Sequence, residues 1–185
     1  MKLEVELKAP ADLDEARRKL RELGAVLVVE GEEQLDVYLQ HPCRDLALTD
    51  EALRLRKRRE VASLTYKGPK VGGKCKARLE VEVAVSSFED ALELLKQLGF
   101  EQVAVLRKRR TVYEVGGFRV YLDEVEGLGC FLEVESLLEP SSATSIEEEA
   151  LRLARLLGAR VEEATTKSYL EMFLERWRDV KGGPT

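Results

Sequence analysis

Charged and apolar side chains alternate position by position through much of this chain, and that period of two restricts the fold before composition is considered. The first instance is Glu4-Val5-Glu6-Leu7-Lys8. Successive side chains of an extended strand point to opposite faces. Glu4, Glu6 and Lys8 therefore share one face, with Leu3, Val5 and Leu7 on the other. Downstream, Arg54, Arg56 and Arg58 alternate with Leu53 and Leu55, and Thr65 and Lys67 with Leu64 and Tyr66. Lys76, Arg78, Glu80 and Glu82 alternate with Ala77, Leu79, Val81 and Val83. Lys108 and Arg110 share a face, as do Arg119, Tyr121 and Asp123, and then Glu133 and Glu135.

Strand patterns cover residues 2–9, 26–40, 52–59, 61–68, 75–85, 101–115, 117–125 and 129–138. Helical stripes interrupt them. The first, over 11–23, aligns Leu13, Ala16, Leu20 and Leu23; the second, over 87–98, aligns Phe88, Ala91, Leu92, Leu95 and Leu98. The third, over 145–157, aligns Ile146, Ala150, Leu153, Ala154 and Leu157. A terminal helix over 167–178 carries Tyr169, Leu170, Phe173 and Trp177. Ser86 with Glu89, and Thr144 with Glu147, have the spacing of a capping box. Leu23-Gly24, Leu98-Gly99 and Leu157-Gly158 place glycine where a helix ends. The expected organisation is a single α+β domain over 1–178, with 179–185 a disordered tail.

Any one of these strands fits an ordinary sheet with a solvated charged face. Seven together also fit a closed barrel with a polar lumen. The outward Leu and Val rows would then carry the amphipathic helices, and closure would remove exposed edges.

Such a lumen constrains its occupants. Like charges 4 Å apart repel by about 4 kcal/mol at an effective dielectric near 20. Glu4, Glu6, Asp123, Glu133 and Glu135 would need cations among them. Lys8, Arg54, Arg56, Lys67, Lys108 and Arg110 would need a polyanion. Oxygen donors without histidine or cysteine point to Mg²⁺ or Mn²⁺, and clustered Arg and Lys to phosphate oxygens. Together these are the parts of phosphoryl or nucleotidyl transfer.

Composition narrows the field further. The 185 residues carry 30 basic and 35 acidic side chains, a net charge of −5, which argues against a dedicated nucleic-acid binder. One histidine, His41, beside Pro42, excludes a multi-histidine zinc site and reads as a loop residue. Cys43, Cys75 and Cys130 lack CxxC spacing and suit reduced thiols in the cytoplasm. No secretory signal opens the sequence and no apolar run is long enough for a membrane span.

Glu4-x-Glu6-x-Lys8 resembles the ExExK signature of the CYTH family, the triphosphate tunnel metalloenzymes. Further pieces agree in order: Asp36-Val37-Tyr38, Leu53-Arg54-Leu55-Arg56, Leu64-Thr65-Tyr66-Lys67-Gly68-Pro69, Arg78-x-Glu80-x-Glu82, Lys108-x-Arg110-x-x-Tyr113, and Leu122-Asp123-Glu124-Val125-Glu126-Gly127-Leu128-Gly129 leading to Glu133-x-Glu135. The last stretch is most similar to the class IV adenylyl cyclase branch. The resemblance implies an eight-stranded antiparallel β-barrel tunnel that converts ATP to cyclic AMP and pyrophosphate. Relatives hydrolyse inorganic or thiamine triphosphate. Glu4, Glu6, Lys8 and Asp123 would form the catalytic group. Glu4, Glu6, Asp123, Glu133 and Glu135 would hold Mg²⁺ or Mn²⁺. Lys8, Arg54, Arg56, Lys67, Lys108 and Arg110 would grip the triphosphate, with Arg78, Arg119, Glu80 and Glu82 as further lumen contacts. Lys167, in Thr166-Lys167-Ser168-Tyr169, resembles a C-terminal Ser-Lys element of some members. A homodimer is what similar cyclases suggest.

A binding module is the competing class. The runs Arg56-Lys57-Arg58-Arg59 and Arg107-Lys108-Arg109-Arg110 would suit a nucleic-acid backbone if they faced outward. Their interleaving with leucines and carboxylates counts against that.

Overall fold

A computed structural model describes residues 6–71, 77–136 and 143–181. The strands are β1 (Glu6–Pro10), β2 (Val26–Gln40), β3 (Ala52–Arg58), β4 (Val61–Val71), β5 (Ala77–Val85), β6 (Glu101–Val115), β7 (Phe118–Val125) and β8 (Gly129–Ser136). The helices are α1 (Leu13–Glu22), α2 (Phe88–Gln97), α3 (Ala143–Leu156) and α4 (Tyr169–Lys181), with one 3-10 turn at Val161–Glu163. The strands form a single antiparallel sheet in the order β1-β8-β7-β6-β2-β3-β4-β5. The α+β class and the eight strands are those the alternation predicts, and their antiparallel pairing is what the resemblance implies. The terminal helix runs to Lys181, beyond the expected boundary at 178.

Barrel closure is not observed. Among the described residues no ladder joins β1 to β5. The outer edge of β1 is instead taken by the segment that follows α3. Arg160 N–H donates to the Pro10 carbonyl and Thr165 N–H to the Lys8 carbonyl, each at 2.9 Å. A covered edge satisfies the backbone as closure would.

Local chemistry explains the helices. Asp12 caps α1, its carboxylate accepting from Asp14 N–H at 2.9 Å and Glu15 N–H at 3.1 Å. The cap of α2 is Ser87, accepting from Asp90 N–H at 3.1 Å, one residue beyond the Ser86–Glu89 box expected. The side chains of Thr144 and its neighbours lie outside the described residues. Gly24, Gly99 and Gly158 follow three helices with φ of +67°, +88° and +88°. In each case the glycine and the next residue return hydrogen bonds to the last turn, as Gly158 N–H to Arg155 and Ala159 N–H to Ala154.

Two clusters lie on the outer face. Leu20, Ile146, Ala150 and Leu157 of α1 and α3 and their flanks pack on Ala9, Val120, Leu122, Leu132 and Val134. Phe88 and Leu95 of α2 pack on Val37, Leu39, Leu55 and Ala62. Leu23, Leu98 and Trp177, each aligned with an apolar stripe, remain exposed.

The expectation that the helices pack outside fails for α4. Tyr169, Leu170, Met172 and Phe173 join Tyr38, Ala104, Leu106, Val125 and Phe131. Those strand residues share the parity of Asp36, Lys108, Asp123 and Glu133, so α4 covers one end of the charged face. An apolar stripe fixes which side of a helix is buried, and does not say which face of a sheet will receive it.

Candidate functional site

Lys8, Asp36, Arg54, Arg56, Lys108, Asp123 and Glu133 are the buried charged side chains among the described residues, and all lie on this inner face. Burying a charge costs several kcal/mol unless it is paired. Here the pairing is dense. Asp123, fully buried, accepts from Arg110 Nε at 2.6 Å and Lys108 Nζ at 3.1 Å. Arg110 Nη2 also reaches Glu133 at 2.6 Å, and Lys8 Nζ lies 3.1 Å from the other Glu133 oxygen. Asp36 receives both Nε and Nη2 of Arg56, a bidentate pair. Arg54 Nη2 lies 3.4 Å from the Thr65 hydroxyl, which donates to Glu82 at 2.8 Å.

Side chains from separate strands of this face converge on α4. Three strand spacings of about 4.8 Å separate β1 from β6. Yet the Tyr169 ring lies under both Lys8 Nζ, 4.4 Å from the centroid, and Lys108 Nζ, at 5.0 Å. The Arg110 guanidinium rests on Tyr121 at 4.2 Å, and the Tyr121 hydroxyl donates to Glu135.

The electrostatics follow from burial and crowding. Burial favours the neutral acid at Glu133, but Arg110 and then Lys8 outweigh it and hold the carboxyl well below its usual range. Burial also disfavours charge on Asp36, and the Arg56 hydrogen bonds overcome it, lowering the pKa. Burial, reinforced by Arg110, pushes Lys108 down to about 7 against the pull of Asp123.

The structure brings together Lys8, Arg54, Arg56, Lys108, Arg110, Asp123 and Glu133. Glu135 sits on the same face beside Tyr121. Glu6 and Arg78 are placed by backbone alone, and Glu4 lies outside the described residues. Three expected contacts sit apart from this cluster. Lys67 pairs with Glu80 at 2.6 Å, and Arg119 with Glu114 at 2.6 Å. Lys167 directs its ammonium to Glu175 at 2.7 Å; only its carbonyl enters, accepting from Lys8 Nζ at 3.2 Å. The basic runs split by parity: Arg56 and Lys108 are buried inside, while Arg59, Arg107 and Arg109 are exposed.

Metal binding can be tested against the donors present. Among the described residues no three His, Cys, Asp or Glu side chains converge as a metal site. The Cα register nevertheless sets Glu6 opposite Glu135 and Lys8 opposite Glu133. Carboxylates at these register positions are oxygen donors, the kind a hard divalent cation takes. Asp123 fits less well, since Arg110 and Lys108 engage its oxygens.

Sequence reasoning assigned no role to Asp36 or Tyr169. Asp36 was legible by parity, two residues before Tyr38 on the inner face. Tyr169 had no such signal, because its place depends on where α4 docks.

The chain and its fold have known relatives. A CYTH domain model matches residues 2–169, and the chain belongs to the CYTH family. It is 35% identical over 172 residues to a Methanocaldococcus jannaschii protein named "Putative adenylate cyclase MJ0240", spanning 92% of this chain and 98% of the relative. The solved structure of the PH1819 protein of Pyrococcus horikoshii is 42% identical, with TM-score 0.80 over 94% of this chain and 99% of that one. The fold is shared with HpAC1 of Hippeastrum, whose structure was reported with a dominant triphosphatase activity, at 17% identity and TM-score 0.69 over 95% of this chain and 96% of that one.

No helix among the described residues is long and apolar enough to cross a membrane. Cys43 and Cys130 are free and exposed, and Cys75 lies outside the described residues. His41 sits in a turn, its Nδ1 accepting from Cys43 N–H at 3.0 Å.

Proposed function

We propose that this chain is a metal-dependent enzyme acting on a triphosphate held along the charged inner face, and that its reaction converts ATP to cyclic AMP and pyrophosphate. The observation that carries this reading is the convergence of Lys8, Arg54, Arg56, Lys108 and Arg110 on one face, four of them buried. So many enclosed cations suit a polyanion that can displace part of their internal pairing. The tunnel expected from sequence would then be walled by the sheet and stopped at one end by α4. Family membership and the name of the Methanocaldococcus relative support the cyclase reading.

Glu6, Glu133 and Glu135, with Glu4 and Asp123, are the carboxylates that would hold Mg²⁺ or Mn²⁺. When bound, the ion would neutralise phosphoryl oxygens and acidify a nucleophilic hydroxyl. Lys8, Lys108 and Arg110 would exchange Asp123 and Glu133 for phosphate oxygens, fixing the chain of phosphates. Tyr169, Phe131 and Leu106 would keep water from that end of the face.

A triphosphatase using the same cations is the second reading, favoured by the activity of HpAC1 on this fold. One assay separates the two. The protein is incubated with Mg²⁺ or Mn²⁺ and either ATP or tripolyphosphate, and cyclic AMP and orthophosphate are measured. Cyclic AMP without orthophosphate is the expected result. Rapid orthophosphate from tripolyphosphate with no cyclic AMP would reject the cyclase, and no turnover of either would reject both.

A further inference from the structure

Among the described residues, the buried side-chain polar atoms without a hydrogen-bond partner are Gln34 Oε1, Arg54 Nε, Ser63 Oγ and Tyr169 Oη. Leaving such an atom unpaired costs about 1–3 kcal/mol, so folded proteins keep few of them. Three of the four are neighbours. Arg56 is opposite Asp36 on one side and Ser63 on the other; Arg58 is opposite Gln34, and Arg54 opposite Thr65. They surround the Asp36–Arg56 pair on β2, β3 and β4. Across the face, Lys8, Lys108, Arg110, Asp123 and Glu133 pair with one another.

The open atom of Gln34 identifies what is missing. Its Nε2 lies 2.7 Å from Glu32. An ionised carboxylate only accepts, so the amide must present nitrogen to Glu32, and the carbonyl is the free end. A phosphate oxygen is also an acceptor and cannot satisfy it. The partner must bring an N–H or O–H. Arg54 Nε offers a donor and Ser63 Oγ can do either, so the trio suits a ligand with mixed polarity. Inorganic tripolyphosphate has no such chemistry; the base and ribose of a nucleotide do.

We propose that the β2–β4 half of the inner face receives the nucleoside of a nucleoside triphosphate, with Gln34 Oε1 accepting from its base or ribose. The proposal rests on the reading above and adds to it the residue that would recognise the nucleoside. It makes Gln34 a specificity residue, separate from the cations that hold phosphate. A site built to pair a donor rejects analogues that lack it.

The test is calorimetric titration of wild type and Gln34→Leu with ATP, ITP, 2′-deoxy-ATP and tripolyphosphate. ATP affinity is expected to fall about tenfold in the variant while tripolyphosphate affinity is retained. If the base amine is the donor, wild type prefers ATP to ITP and the variant loses that preference. If the ribose is the donor, the 2′-deoxy analogue shows the same pattern. An equal loss for ATP and tripolyphosphate would make Gln34 structural and overturn the proposal. No loss for either would mean that water satisfies the carbonyl, and would overturn it equally. Should Gln34→Leu fail to fold, Ser63→Ala carries the same comparison. Failure of the triphosphate reading looks different: wild type would bind neither ATP nor tripolyphosphate.

Discussion

Asp36 and Arg56 show how much of the inner face is held by ion pairs whose value depends on both partners. Asp36→Ala leaves a buried guanidinium uncompensated and should cost about 3–5 kcal/mol. Replacing both, as Asp36→Leu with Arg56→Met, should restore most of that, because the desolvation cost disappears with the charges. Urea unfolding of the three proteins at pH 7 checks both statements. The sign with pH follows from the lowered pKa of folded Asp36. Its contribution is complete above the unfolded value of about 3.9 and is lost as pH falls through the folded value. Asp36→Ala should therefore lose less stability between pH 5 and pH 3 than wild type does. At Glu133 the expectation is functional. Glu133→Gln keeps the shape but releases Lys8 and Arg110 from their shared carboxylate, and metal-dependent turnover should vanish while the protein stays folded by circular dichroism. Full activity would remove Glu133 from the site. These side chains were legible as a set, since parity alone sends Lys8, Arg56, Lys108 and Arg110 to one face. How they divide among partners was not. Asp123 and Glu135 look alike in sequence, yet one lies between two cations and the other accepts from a tyrosine.

The elements were more legible than their ends. β2 and β6 begin and end where alternation begins and ends, and three Leu-Gly pairs mark three helix stops. Capping was harder, because Ser86 and Ser87 are adjacent and only the backbone decides which one turns. Asp12 is the cap whose removal is easiest to interpret, as it faces solvent: Asp12→Ala should lower stability by about 1 kcal/mol. The helix-stop glycines give a paired prediction. A Cβ on Gly24 would meet nothing within 4 Å, while one on Gly158 would come within 3.1 Å of the Glu15 carboxylate. Glu15 is partly exposed and can swing away. Both glycine-to-alanine changes should then cost the same, about 1–2 kcal/mol for the left-handed backbone. Thermal melts test this, and a distinctly larger loss at Gly158 would show that Glu15 is fixed in place.

At the scale of the whole molecule, the sheet has two apolar clusters outside and a third formed with α4 inside. The outer clusters tie α1, α2 and α3 to residues of every strand without α4. The inner one depends on α4 for Tyr169, Leu170, Met172 and Phe173. Ending the chain at Thr166 should accordingly spare the sheet and strip one end of the charged face. Lys8 would lose its Lys167 carbonyl and the Tyr169 ring, and Lys108 would lose the same ring. The dye ANS should bind the uncovered Leu106, Val125 and Phe131 and fluoresce, while the far-UV signal of the strands persists. Tripolyphosphate should also bind more weakly, because water admitted beside Lys8 and Lys108 raises the local dielectric and weakens every charge contact there. Loss of the strand signal would instead make α4 part of the folding core. A compact sheet with unchanged tripolyphosphate affinity would show that the cations keep their arrangement without a cover.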